Sequence, residues 1–289
     1  MFGHCQFLLS LPCTKCMNKY KITLMRIPVI LLLALFTIVA CQSDKSADKK
    51  VNEPKPKAMT KEEAMAKKFT LTPFSPSPEF QGAKIDAMTY KGGTFNFDIS
   101  GDYELGAQTT DAATKMCANS GKGQHIHLIV DKSPYAAKYV SSFDHEVADG
   151  THNILAFLSR SYHESIKSPG ASMAVKAEVA KGAITSSEPI TTPALFYSRP
   201  KGTYVGKANT DKVMLDFFLT NVTLGNGYTV KANINGEDHI IDKWQPYYID
   251  GMPIGENTIT LTLMKDGVAV NNALNPVSRT FTLKEDPAD

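Results

Sequence analysis

The sequence predicts an all-β protein: two tandem immunoglobulin-like β-sandwiches behind an export signal and a polar tether. Three observations carry this. One four-block pattern occurs twice, in the same order. Each block alternates apolar and polar residues, the period of a half-buried strand. Turn-forming Pro, Gly and Asn recur about every ten residues, the spacing of many short antiparallel strands. At 289 residues with 43% hydrophobic and 21% charged content, the chain has the make-up of a globular protein. Sixteen Pro and 19 Gly are too few for a fibrous or low-complexity one.

The N-terminus reads as an address. Residues 1–40 hold Lys15, Lys19, Lys21 and Arg26 and no acid, and residues 27–40 (IPVILLLALFTIVA) follow as a short apolar run. About 20 apolar residues are needed to span a bilayer, so this is the basic and apolar part of a secretory signal over 1–40. The run ends Ile38-Val39-Ala40-Cys41 and continues Gln42-Ser43-Asp44. It resembles the lipobox of bacterial lipoproteins, which implies cleavage before Cys41, lipidation of Cys41 and, with Gln42 following it, an outer-membrane destination. Residues 1–24 are superfluous to such a signal, and translation from Met17 or Met25 would remove most of them. Cys13 and Cys16 form a C-x-x-C that is discarded with the signal. Of five cysteines only Cys117 then remains in the mature body, so no internal disulfide is expected. The stretch 41–68 follows Cys41 with QSDKSADKKVNEPKPKAMTKEEAMAKK, almost devoid of large apolar residues. Such a segment cannot bury enough surface to order itself; as a coil it spans on the order of 30 Å, a spacer from the bilayer.

The repeat defines two domains, 69–181 and 191–289, joined across 182–193. Phe95-Asn96-Phe97-Asp98-Ile99 aligns with Leu215-Asp216-Phe217-Phe218-Leu219. Residues 123–131 align with 227–235, and 142–158 with 247–263 without a gap, Gly150 falling on Gly255. Residues 173–179 align with 277–283. Ile259, Leu261 and Leu263 share one face and Thr258, Thr260 and Thr262 the other. Asn235-Gly236 is a strong hairpin signal.

Where the copies differ, chemistry is concentrated. Copy one has an extra segment, 107–122, a longer connection, 159–170, and five of the seven histidines: His125, His127, His145, His152 and His163. His125 and His127 lie on one face of a strand, their Cβ atoms about 7 Å apart. They align with Thr229 and Lys231, so they are expected on the solvent side, either as a plain polar face or as a metal site. Two imidazoles at i, i+2 bind Cu or Zn if a third ligand arrives from a loop. Met116 and Cys117 in the extra segment, and His163 in the long connection, are the candidates. Arg160 and Lys167 in that connection suggest an anion or phosphopeptide site, the alternative being a solvated loop. His152 reads as a strand-entry residue.

Other chemistries are excluded. The body is near neutral, with no basic stripe for nucleic acid. Position 149 is Asp, so His145-Glu146 does not complete H-E-x-x-H. Met116 and Gly123 stand where a P-loop needs Gly and Ser or Thr. No motif frames a nucleophilic serine. Asn221-Val222-Thr223 has the form of a glycosylation sequon, in the wrong context for one.

Residues 123–131 (GQHIHLIVD), with Asp149-Gly150-Thr151-His152 and Arg160-Ser161-Tyr162-His163-Glu164-Ser165, resemble small Bacteroidetes envelope lipoproteins that go under the name phosphopeptide-binding protein. The strand is also similar to one in a bacterial domain of unknown function that reads G-H-H-H-L-L-I-D. Ile126 replaces the middle His of that triplet. The resemblance covers about 60 residues and implies an envelope location without fixing a ligand. The reading is therefore a non-enzymatic binding or scaffold lipoprotein. It meets the membrane through its lipid, and its partner is a protein or peptide. Cu or Zn at His125 and His127, or an anion at Arg160 and Lys167, are the alternative ligands.

Overall fold

Alternation along the chain becomes strands, as expected, and the repeat becomes two copies of one topology. The computed structural model describes residues 68–287; the signal, Cys41 and nearly all of the tether lie outside the described residues. The strands are β1 (Thr70–Pro73), β2 (Lys84–Lys91), β3 (Thr94–Ser100), β4 (His125–Val130), β5 (Ala136–Lys138), β6 (Ser142–Asp144), β7 (Gly150–Ser159), β8 (Ser172–Ala180) and β9 (Ala183–Pro189). There follow β10 (Ala194–Arg199), β11 (Gly202–Val205), a one-turn helix α1 (Lys207–Thr210), β12 (Lys212–Thr220), β13 (Tyr228–Ile234), β14 (Glu237–Ile241), β15 (Tyr247–Asp250), β16 (Gly255–Lys265), β17 (Val268–Ala269) and β18 (Val277–Lys284).

The first sandwich packs a β2-β3-β6 sheet against β5-β4-β7-β8-β9. The second packs β10-β12-β15-β1 against β14-β13-β16-β18-β11, with the short β17 on β16. Strand for strand the order is the same. Counting from β2 and from β10 and leaving aside β9, β11 and β17, the first, second and fifth strands form one sheet and the third, fourth, sixth and seventh the other, an immunoglobulin-like arrangement. The register repeats too. Ile126 pairs with Leu158 and Val230 with Leu263; Gly150 pairs with Val179 and Gly255 with Leu283. The gap-free sequence alignment is therefore a structural one.

Inner faces fill two separate cores. Ile126, Leu128, Ile154, Ala156 and Leu158 pack with Phe95 and Phe97 in the first. Val230, Ala232, Ile259, Leu261 and Leu263 pack with Leu215 and Phe217 in the second. On the outer face of β16, Thr258 and Thr260 reach Thr280 and Ser278 across the ladder, 3.0 Å in each case.

The domain boundaries shift from those expected. The segment from Phe69 does not start the first sandwich: β1 pairs with β15, and Phe69 is buried in the second core. Nor is 182–193 merely a joint, since β9 extends the first sandwich's larger sheet along β8. The described residues thus start on the second sandwich, build the first and return.

The two sandwiches also pack directly on each other. Ile129, Leu155 and Phe157, on the outer face of β4 and β7, form a third core with Ala194, Phe196 and Phe218 on β10 and β12. Phe157 stacks on Phe218 with ring centroids 5.1 Å apart. Beside them Asp216, fully buried, accepts from the Ser165 amide at 3.0 Å and from the Lys167 ammonium at 2.9 Å. A buried carboxylate needs such partners, because desolvating it alone would cost several kcal/mol.

Candidate metal centre

Strand alternation and one tight turn assemble the site. The period of two places His125 and His127 on the same outer face of β4. His125 pairs with Ser159, the last residue of β7, so the turn that follows β7 emerges beside it. That turn is pinned by Arg160 N–H donating to Glu164 O at 2.9 Å and His163 N–H to Arg160 O at 2.8 Å. It holds His163 at φ +70°. Left-handed backbone is uncommon outside glycine, and its persistence at a side chain aimed into a cluster is the kind of strain that functional sites retain.

The three ring nitrogens meet. His125 Nε2 lies 2.9 Å from His127 Nε2 and 2.9 Å from His163 Nδ1, and His127 Nε2 lies 3.3 Å from His163 Nδ1. Around a tetrahedral Zn with bonds of 2.0–2.1 Å, ligand nitrogens stand about 3.3–3.4 Å apart. The observed triangle is slightly tighter, so an ion needs the rings to part by no more than about half an ångström. The outer nitrogens of His125 and His127 have partners of the kind that orient metal-bound histidines. His125 Nδ1–H donates to Gly123 O at 2.8 Å, which leaves Nε2 as the free lone pair of a neutral ring. Ser198 Oγ lies 3.3 Å from His127 Nδ1. Gly123 is at φ +81°, and a Cβ there would stand 2.1 Å from Gly106 O, so this carbonyl's position demands glycine.

Burial sets the protonation. His125 and His127 have no exposed surface, and His163 is half-buried, so the cluster meets solvent at His163. Burial pulls His125 down to about 4, only partly offset by its bond to Gly123, with the Arg199 and Lys201 charges lowering it further. Burial likewise drives His127 and His163 well below the ordinary imidazole range, aided by the other histidines and the same two cations. All three are neutral at pH 7, the form that binds metal. Tyr135 completes the wall: its ring stacks on His127 at 3.7 Å and 6°, and its hydroxyl lies 3.3 Å from His163 Nδ1. Tyr139 lies 4.8 Å from His125, ring to ring, and its hydroxyl bonds Ser120 Oγ at 2.8 Å.

Of the residues picked from sequence, His125, His127 and His163 come together, and they form a group of potential metal ligands among the described residues. His125 and His127 are not on a solvent face, because the second sandwich covers it. Cys117 is not part of this group. It is buried with Phe74, Tyr162, Met214 and Tyr248, and burial pushes its thiol up to about 11. Met116 points away, 55% exposed. Arg160 and Lys167 are each engaged within the fold: Arg160 donates to Ser165 O and Pro78 O and pairs with Glu164 at 3.6 Å, while Lys167 holds Asp216. His152 is held by Asp131 at 2.7 Å and Ala148 O at 2.9 Å, a structural role at the start of β7.

Sequence reasoning missed Tyr135, Ser198, Arg199 and Lys201. A signal existed for the covering strand. Residues 194–199 (ALFYSR) are apolar at both parities and all six are buried. Continuous apolar strands are those covered on both faces.

Fold and site together define an all-β protein of two sandwiches stacked on each other, with a buried three-imidazole cluster at their junction. No family model matches the chain. No curated protein matches it either. Among solved structures, a chain described as "Structures of Clostridium thermocellum CbhA fibronectin(III)-like modules" is similar at TM-score 0.26 and 13% identity, over 75% of this chain and 94% of that one. At that TM-score the match carries no weight, and the fold assignment rests on the strand order.

Proposed function

We propose that this is a non-enzymatic binding protein of the bacterial cell envelope whose ligand is one Cu or Zn ion held by His125, His127 and His163. The observation that carries the reading is the triangle of three neutral, inward-facing ring nitrogens within 3.3 Å of one another. Three imidazoles meeting nitrogen to nitrogen gain little as a hydrogen-bond network, since neutral rings have too few protons to satisfy every contact. They do make a three-point donor set of the type that Cu and Zn accept. The lipobox-like run ending at Cys41 supports anchorage by lipid at the outer membrane, with the polar stretch after it as tether.

The test is a measurement of Cu and Zn bound to the full chain purified without a polyhistidine tag. About one ion per chain is expected, absent from the His125→Ala/His127→Ala double variant. No bound ion, and no thermal shift on adding either metal, would remove the metal from the reading. Peptide pull-downs would then decide what the module binds.

A further inference from the structure

The charges around the cluster point to which ion it takes. Imidazole alone does not choose, because it suits Cu and Zn alike. The ligand group contains no carboxylate and no thiol among the described residues, so bound metal keeps its full charge. The hydroxyl that meets the histidines is the Tyr135 phenol, 3.3 Å from His163 Nδ1, and not a carboxylate.

Two cations stand against the same space. Arg199 is buried, and its guanidinium donates to Tyr162 O at 3.1 Å, to Ala118 O at 3.3 Å and to the Tyr204 hydroxyl at 3.3 Å, all neutral partners. Lys201 Nζ lies 4.1 Å over the Tyr135 ring, the ring that stacks on His127. Neither is among the ion pairs of the described residues. The carboxylate that does act on Tyr135 is Asp216, and Lys167 already neutralises it at 2.9 Å. Against an uncompensated cation within about 10 Å, each further positive charge on a bound ion costs roughly tenfold in affinity at an effective dielectric near 20.

Resting on the metal-binding reading above, we infer that the site is selective for a monovalent, three-coordinate ion, Cu⁺, over Zn²⁺ and Cu²⁺. Three nitrogens from three neutral rings complete a trigonal shell, and Arg199 with Lys201 penalises the second charge of a divalent ion. Selection here works by repulsion of the wrong ion as much as by attraction of the right one.

The experiment is a pair of chelator competitions on the untagged full chain, one with Cu⁺ under anaerobic reducing conditions and one with Zn²⁺. Each is repeated on Lys201→Met and Lys201→Glu. Lys201 is chosen over Arg199 because its ammonium is only partly buried and ties no backbone carbonyl. Far-UV circular dichroism confirms that the variants fold. The expected result is one Cu⁺ per chain and Zn²⁺ weaker by about 100-fold or more, consistent with two opposing cations. Lys201→Met should narrow that gap about tenfold and Lys201→Glu about 100-fold. Zn²⁺ bound as tightly as Cu⁺ overturns the selectivity while leaving metal binding intact, and so does a gap that neither variant moves. Failure of both ions to bind overturns the metal reading and this inference with it.

Discussion

Val230 on β13 pairs with Leu263, and Ile126, at the equivalent place on β4, pairs with Leu158. Both point into their own sandwich's core. One residue along, the copies part. Lys231 sits on an outer face, half-buried and paired with Asp238 at 3.3 Å. His127, its counterpart, is fully buried beneath Ser198 of the other sandwich. The same asymmetry runs the other way on the smaller sheets. Asn96 and Asp98 on β3 are exposed, while Asp216 and Phe218, their counterparts on β12, lie in the junction. A duplicated scaffold has therefore kept its inner faces and diverged on one outer face per copy. The two divergent faces stack, and the three-histidine cluster sits where they meet.

The largest break in this comparison should come from the junction itself. Phe157→Ala removes a fully buried ring stacked on Phe218 and should cost about 3–5 kcal/mol of stability. Thr262→Ala, at the aligned place on β16, removes little apolar surface and should cost less than about 1 kcal/mol. Urea unfolding of the two variants measures the contrast. Equal costs would mean that the outer faces do not differ as described.

Next in size is the acid response. His125 titrates in the folded protein near 4 and in the unfolded chain near 6.5. Between those values the unfolded chain binds more protons, so stability is present above pH 6.5 and lost as pH falls toward 4. The loss from His125 is on the order of 3 kcal/mol, with His127 and His163 adding to it in the same direction. Thermal melts of the metal-free chain across pH 4–7 should show this slope, and His125→Gln/His127→Gln should flatten it. An unchanged slope would contradict the burial of the pair.

Metal should stabilise by a comparable or smaller amount, about 2.7 kcal/mol at a free concentration 100 times the dissociation constant. The gain should vanish in His125→Ala/His127→Ala and survive Thr229→Ala/Lys231→Ala. The smallest effect sharpens the comparison. Thr229→His/Lys231→His recreates the pair on β13, yet it should bind no metal and alter stability by less than about 0.5 kcal/mol. That face has neither a third histidine nor a covering sheet.

Much of this architecture was legible in the residues. Alternation fixed the inner faces, and the spacing of 142–158 against 247–263 matched the strand register pair by pair. The shared face of His125 and His127 followed from parity, and His163 from being the odd residue in a longer connection. The burial of the pair was not legible by alignment, because copy two has Thr229 and Lys231 there and its outer face is open. What covers β4 is a property of β10, 70 residues away, and was recorded only in the two-sided apolar run of residues 194–199. Cys117 and Met116 misled because soft-ligand chemistry says nothing about where a loop's side chains point. The placement of β1 was invisible for a related reason: TLTP is too short a segment to declare which of two similar sheets it will join.

X-ray absorption at the metal edge of the loaded full chain tests the central claim most directly. Three imidazoles at the junction predict a first shell of three nitrogen scatterers at about 2.0 Å, with the outer-shell pattern of histidine rings and no sulfur. A sulfur scatterer near 2.3 Å would bring Cys117 or Met116 to the ion and contradict the site described here.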